Sequence, residues 1–178
     1  MNKFFLFFFF SFLMSDSNNV IFDFTENSNI SSWRIVDDGV MGGRSRGDFF
    51  LNKKGNAVFS GSVSLDNYGG FSSVRHQFKT KDISQYKKII IRLKGDGKAY
   101  QFRIKNSRRD YHSYITSFKT SSDWETISIN MSDMYPAFRG RNLNMDNLKP
   151  NKIQEIAFLI GNKRAETFRL EIDSISLQ

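Results

Sequence analysis

From Val20 onward, apolar residues fall mostly at every second position. In Ala57–Leu65, Phe59, Val63 and Leu65 share one face and serines occupy the other. Ile89, Ile91 and Leu93 alternate with Ile90, Arg92 and Lys94, and Tyr100, Phe102 and Ile104 alternate with Gln101, Arg103 and Lys105. A period of two puts alternate side chains on opposite faces of an extended chain, so these runs predict half-buried strands. The same reasoning predicts strands at Val20–Phe24, Phe49–Leu51, Val74–Phe78, Tyr111–Thr120, Trp124–Met131, Lys152–Gly161 and Thr167–Leu177. Roughly nine or ten strands, about 8 to 15 residues apart, indicate an all-β antiparallel sandwich or barrel. Helical character is confined to single turns at Ser84–Tyr86 and Ser132–Tyr135, with one turn of 3₁₀ helix at Met145–Leu148. That last turn lies inside Arg141–Asn151, the longest polar loop and a natural place for function.

Glycines punctuate the strands at three corners. Asp37-Asp38-Gly39-Val40-Met41-Gly42-Gly43 follows Trp33, Tyr68-Gly69-Gly70-Phe71 follows the strand ending at Leu65, and Gly95-Asp96-Gly97 joins two alternating runs. The third corner is a hairpin signal. Gly39, Gly42, Gly43, Gly69, Gly70, Gly95 and Gly97, with Met41 inside the first corner, are read as a structural motif, since glycine takes positive φ or admits a neighbouring backbone without the steric penalty other residues carry.

Residues 1–17 read differently. Lys3 precedes an apolar, phenylalanine-rich run from Phe4 to Met14, then Ser15-Asp16-Ser17. That is the layout of a secretory signal peptide, and the run falls short of the roughly 20 residues of a membrane span. The reading is a leader at 1–17 and one domain at 18–178. The domain is exported to the periplasm or beyond, with no stable membrane span after leader removal; a membrane-associated or cytoplasmic location is the alternative. A domain of this size needs neither disulfides nor a metal to stay folded.

The chain has no cysteine, which removes disulfides, thiol catalysis and Cys-based zinc sites. Its net charge of +8 favours acidic partners, but the basic pairs are scattered over turns rather than gathered in a groove, so nucleic acid is not expected. The two histidines, His76 and His112, sit inside strand-like runs, and no GxSxG elbow is present. Asp37 and Asp38 are adjacent, so in extended chain they point to opposite faces and cannot form a hydrolytic pair alone. One of them is expected to accept backbone N–H bonds in its own turn. The Gly39–Gly43 step precedes strands, lacks the helix a phosphate cradle needs, and no D-x-D-x-D-G calcium loop occurs. Neither catalytic residues nor a cofactor nor a metal is assigned.

Binding fits these residues better than catalysis. Trp33, Asp38, Arg75, Tyr100, Arg139 and Arg141 form the candidate set, combining aromatic faces with planar donors suited to a protein partner or to stacking on sugars. Trp124, and Trp33 as an alternative to binding, are read as core. Arg75 follows the GGF corner, and if turned inward it needs a carboxylate partner, for which Asp38 and Asp96 are the candidates. Such a bridge would lock the glycine corners together.

Trp33, DGVMGG with Ser45, Gly61 in a strand, GGF at Gly69–Phe71 followed by Arg75, and GDG with Lys98 and Tyr100 together resemble the complex I intermediate-associated protein family. Trp124, Phe138-Arg139-Gly140 and the closing Phe168–Asp173 segment follow in the same order. The resemblance spans Val20 to Gln178 and implies a galactose-binding-like jelly-roll β-sandwich. It also implies a non-catalytic role as a chaperone or assembly factor for respiratory complex I, with a protein as partner. The leader departs from mitochondrial transit peptides, which are amphipathic and rich in Arg and Ser. The alternative functions are a carbohydrate-binding module of the cell envelope and a hydrolase whose carboxylates meet only in three dimensions.

Overall fold

A computed structural model describes residues 19–178, except the side chains of Val40 and Met41, and the leader read over 1–17 lies outside the described residues. The strands are β1 (Val20–Asp23), β2 (Trp33–Asp37), β3 (Arg46–Leu51), β4 (Ala57–Val63), β5 (Ser72–Asp82), β6 (Lys88–Lys94) and β7 (Ala99–Lys105). They continue with β8 (Ser113–Lys119), β9 (Trp124–Asn130), β10 (Tyr135–Phe138), β11 (Arg141–Asn142), β12 (Lys152–Ile160) and β13 (Glu166–Leu177). One sheet has the order β3-β4-β13-β6-β9, with β1 also paired to β13. The other has the order β11-β10-β8-β7-β12-β5-β2. All pairings are antiparallel.

The alternating positions build the interior between the two layers. Phe59 of β4, Ile89, Ile91 and Leu93 of β6, Leu170 and Ile172 of β13 come from one sheet; Phe102, Ile104, Phe158 and Ile160 come from the other, and all are fully buried. Burying each such side chain contributes about 1.5–3 kcal/mol before chain entropy is counted. The long strand β13 serves two partners on one edge: β4 pairs with Glu166–Ile172, and β1 takes over at Ser174–Ser176.

Trp33 ties the layers together. Its ring lies 4.6 Å from His76 on β5, nearly parallel at 9°, and 5.0 Å from Phe49 on β3 of the opposite sheet. Phe22 and Phe24 close over it. This places Trp33 in the core, at 6% exposure.

The structure corrects several local readings. Trp33–Asp37 is a strand, hidden in the sequence because its interior and exterior positions do not alternate cleanly before the glycine corner. The strand expected at Tyr111–Thr120 is shorter, Ser113–Lys119, and two short strands, β10 and β11, extend its sheet. Met145–Leu148 does not form a 3₁₀ turn. The Leu148 amide donates instead to the Met134 carbonyl at 2.9 Å and the Asn147 side chain donates to the Ser132 carbonyl, so this segment is held by its neighbours rather than by itself. Trp124, read as core, is 37% exposed with the Arg92 guanidinium over its ring.

Candidate functional site

Two of the three glycine corners converge on one carboxylate. Asp38 opens a single 3₁₀ turn after β2, and its side chain has no exposed surface. Its Oδ1 accepts the Ser45 amide at 3.0 Å. Its Oδ2 accepts the Ser45 hydroxyl and the Gly70 and Phe71 amides, at 2.6 and 3.3 Å for the amides. Burial pushes the Asp38 carboxyl up, but the Ser45 hydroxyl and the three amides outweigh it and hold it below the usual carboxylate range. The carboxylate leaves no room for side chains beside it. A Cβ on Gly43 would stand 2.2 Å from Asp38 Oδ1, and one on Gly69 would stand 2.6 Å from Oδ2. Asp37 does similar work one residue earlier, accepting the Gly47 amide at 2.9 Å and the Ser72 hydroxyl at 2.6 Å. The Asp38 corner is therefore a structural knot joining β2, β3 and β5.

Asp96 plays the corresponding part in the third corner. It accepts the Lys98 ammonium at 2.8 Å, the Tyr100 hydroxyl at 3.1 Å and the Arg169 amide at 2.9 Å. Burial first, and then the Asp96 charge and hydrogen bond, push the Tyr100 phenol well above its ordinary range. Gly95 passes against Thr120, leaving no space for a Cβ, and Gly97 takes a positive φ of 81°.

These bonds correct the bridge expected for Arg75. Asp38 and Asp96 are committed elsewhere, and among the described residues Arg75 forms no ion pair with either. It lies on the outer face of β5, because its neighbours Val74 and His76 point inward. Tyr100, like Trp33, is interior, at 1% exposure, so neither ring is available to an external ligand.

Arg139 and Arg141 lie together at the far edge of the larger sheet. Arg139 takes a left-handed φ of 48° in the tight turn between β10 and β11, and its guanidinium sits 5.3 Å above the Phe138 ring. Phe138 meets Tyr111 edge-on at 5.4 Å, and the Tyr111 hydroxyl donates to the Met145 sulfur at 3.8 Å. Tyr111, Phe138 and Met145 are 59%, 39% and 44% exposed. Arg141 is exposed on β11, opposite Phe138. Three large apolar side chains thus meet at one edge, flanked by two guanidiniums.

The model of the Complex I intermediate-associated protein 30 family matches residues 22–172. The chain belongs to this family. Its relatives include the mouse mitochondrial Complex I intermediate-associated protein 30, 24% identical over 93% of this chain. The chain spans 57% of that relative's length. An uncharacterized protein of Schizosaccharomyces pombe is 27% identical over 88% of the chain and 82% of its own length. Among solved structures, the family 11 carbohydrate-binding module of Clostridium thermocellum, in complex with a mixed-linked tetrasaccharide, superposes with a TM-score of 0.64. The two are 19% identical over 89% of this chain and 94% of that one. The fold of this member of the Complex I intermediate-associated protein 30 family is a galactose-binding-like β-sandwich.

Sequence reasoning missed Met145 as a neighbour of Phe138, because the loop that carries it returns across the sheet edge only in three dimensions. It also missed Arg34 and Arg103, which alternate with apolar residues and read individually as ordinary outward-facing positions.

Proposed function

We propose that this chain is a non-catalytic binding domain that works as an assembly factor. It holds a protein partner at the β10–β11 edge through Phe138, Tyr111 and Met145, with Arg139 and Arg141 at the rim. The observation that carries this reading is the grouping of exposed Tyr, Phe and Met beside two arginines. Protein interfaces place their strongest anchors in such aromatic and Arg-rich clusters, ringed by polar groups. Family membership supports the role, since the mouse relative is named for association with complex I intermediates.

Carbohydrate binding is the second reading, drawn from the module with its bound tetrasaccharide. Against it stands the burial of Trp33 and Tyr100, the two aromatic rings of the candidate binding set. For location, the leader reading favours a compartment outside the cytoplasm, and mass spectrometry of the mature N-terminus tests it.

The partner reading is tested by capture from extracts of the source cells, followed by size-exclusion chromatography of the complex. Wild type is expected to retain a stoichiometric protein partner, and Phe138→Ala with Tyr111→Ala is expected to weaken it by about tenfold or more, as loss of two anchors should. Equal capture by the double variant would overturn the assigned edge. Glycan-array binding with no protein complex would favour the second reading.

A further inference from the structure

The outer face of the larger sheet carries a row of arginines that no motif announces. Strand register places Arg34 beside Arg75, Arg75 beside Ala157, Ala157 beside Arg103, and Arg103 beside Ile115. Adjacent strands lie about 4.8 Å apart, so the backbones under Arg75 and Arg103 are roughly 10 Å apart, with only the methyl group of Ala157 between them. Ala157, Leu159 and Ile115 point away from the core, yet they are only 4%, 7% and 5% exposed. The short and apolar side chains of this face are therefore covered by the longer ones around them, the arginines among them.

The charge here is unbalanced. Among the described residues, Arg34, Arg75 and Arg103 form no ion pair. Glu155, in the next row, accepts a hydrogen bond from Gln77, and its charge partly offsets that of Arg75. Lys105, opposite Glu155, donates to the Asp110 carbonyl. Arg103 is steadied from one side: Gln101 Oε1 accepts its Nε and Nη2 hydrogens at 3.2 and 2.6 Å. Its other N–H donors have no protein acceptor among the described residues. Burial, and then the charge of Arg75, bring the Arg103 guanidinium down to about 10. Half-buried, mutually repelling guanidiniums are a costly arrangement, and the cost falls when an anion enters.

We propose that Arg75 and Arg103, flanking Ala157 on the outer face of the larger sheet, form a binding site for an oxyanion group, a carboxylate or a phosphate. A guanidinium presents its N–H donors as a planar fork that matches two oxygens of such a group at once. Ala157 puts only a methyl group between the two arginine stems, Gln101 preorganises one fork, and Arg34 adds charge beside Arg75. The site lies on a different surface from the Phe138 edge and goes beyond the partner reading, so either can fail without the other.

The test is thermal unfolding of the full chain, titrated separately with inorganic phosphate and with citrate, against sodium chloride at matched ionic strength. Ligand that binds only the folded state raises the melting temperature with its concentration, and the dependence yields an apparent affinity. Wild type is expected to be stabilised by at least one of the two anions beyond the chloride control. Response to phosphate alone or citrate alone identifies the source of the oxyanion. Arg75→Gln and Arg103→Gln are each expected to weaken the apparent affinity by about tenfold, and Arg103→Lys to weaken it as well, because the charge stays and the fork goes. Lys53→Gln, a change on an exposed turn, is expected to keep the wild-type response. Chloride stabilising as much as both anions would overturn the proposal, as would Arg75→Gln and Arg103→Gln responding like wild type.

Discussion

Asp38 is an ionised side chain with no exposed surface, and its stability rests on the four hydrogens that Ser45, Gly70 and Phe71 direct at it. Replacement by alanine removes the acceptor and leaves the Ser45, Gly70 and Phe71 amides without it, while the Ser45 hydroxyl keeps the Ser64 carbonyl within reach. Asp38→Ala is expected to cost about 3 kcal/mol, or roughly 6–12 °C of melting temperature, read by thermal unfolding. The pH dependence has a definite sign. The folded-state carboxyl titrates below the ordinary value of 3.8, so its contribution is fully present above that pH and is lost as pH falls through the depressed folded value. Asp38→Asn should flatten that part of the acid-unfolding profile. An unchanged profile in Asp38→Asn would remove the carboxylate from its assigned role.

Among the elements, the glycine corners differ in what they demand. Gly39 has open space around its missing Cβ, whereas Gly43 is pressed against Asp38. Gly39→Ala is expected to change stability by less than about 0.5 kcal/mol, and Gly43→Ala to cost about 2 kcal/mol or more, because the neighbour it would displace is the buried carboxylate. Equal denaturant midpoints for the two variants would contradict this ordering. The corners themselves were legible in the sequence, because glycine clusters beside Asp are a local signal. The strands were legible wherever apolar and polar residues alternate, as in β6 and β7. Where they do not, as in β2 and the short β10 and β11, pairing with a neighbour rather than local pattern makes the strand. The assignment of Arg75 to a carboxylate bridge failed for a similar reason: sequence shows that Asp38 and Asp96 lie near glycine corners, but not which donors reach them first.

At the scale of the whole molecule, the two sheets are joined by the aromatic knot around Trp33, and His76 is part of it. Burial lowers the His76 imidazole below its ordinary value of 6.5, against a weaker opposing contact from Ser32. A base with a depressed folded-state value contributes stability that is complete above 6.5 and declines as pH falls toward the folded value. Stability is therefore expected to begin falling below about pH 6.5, ahead of the Asp38 step, and His76→Phe is expected to remove this first decline while keeping an aromatic ring against Trp33. Denaturant unfolding of both proteins from pH 7 to 4.5 checks it; parallel curves would exclude His76 as the source. The larger sheet also separates two surfaces, an apolar and aromatic edge at β10–β11 and an arginine row on its outer face, so the two proposals can be tested independently.

What the chain determined by itself was the two-layer β architecture, its glycine corners and its family, because alternation, turn chemistry and ordered motifs are local properties. Only the tertiary structure decided which donors surround Asp38, that Trp33 and Tyr100 face inward, and that Arg75 and Arg103 share a row. Those relations depend on strand order and register between segments far apart in sequence, which a single strand's pattern does not encode.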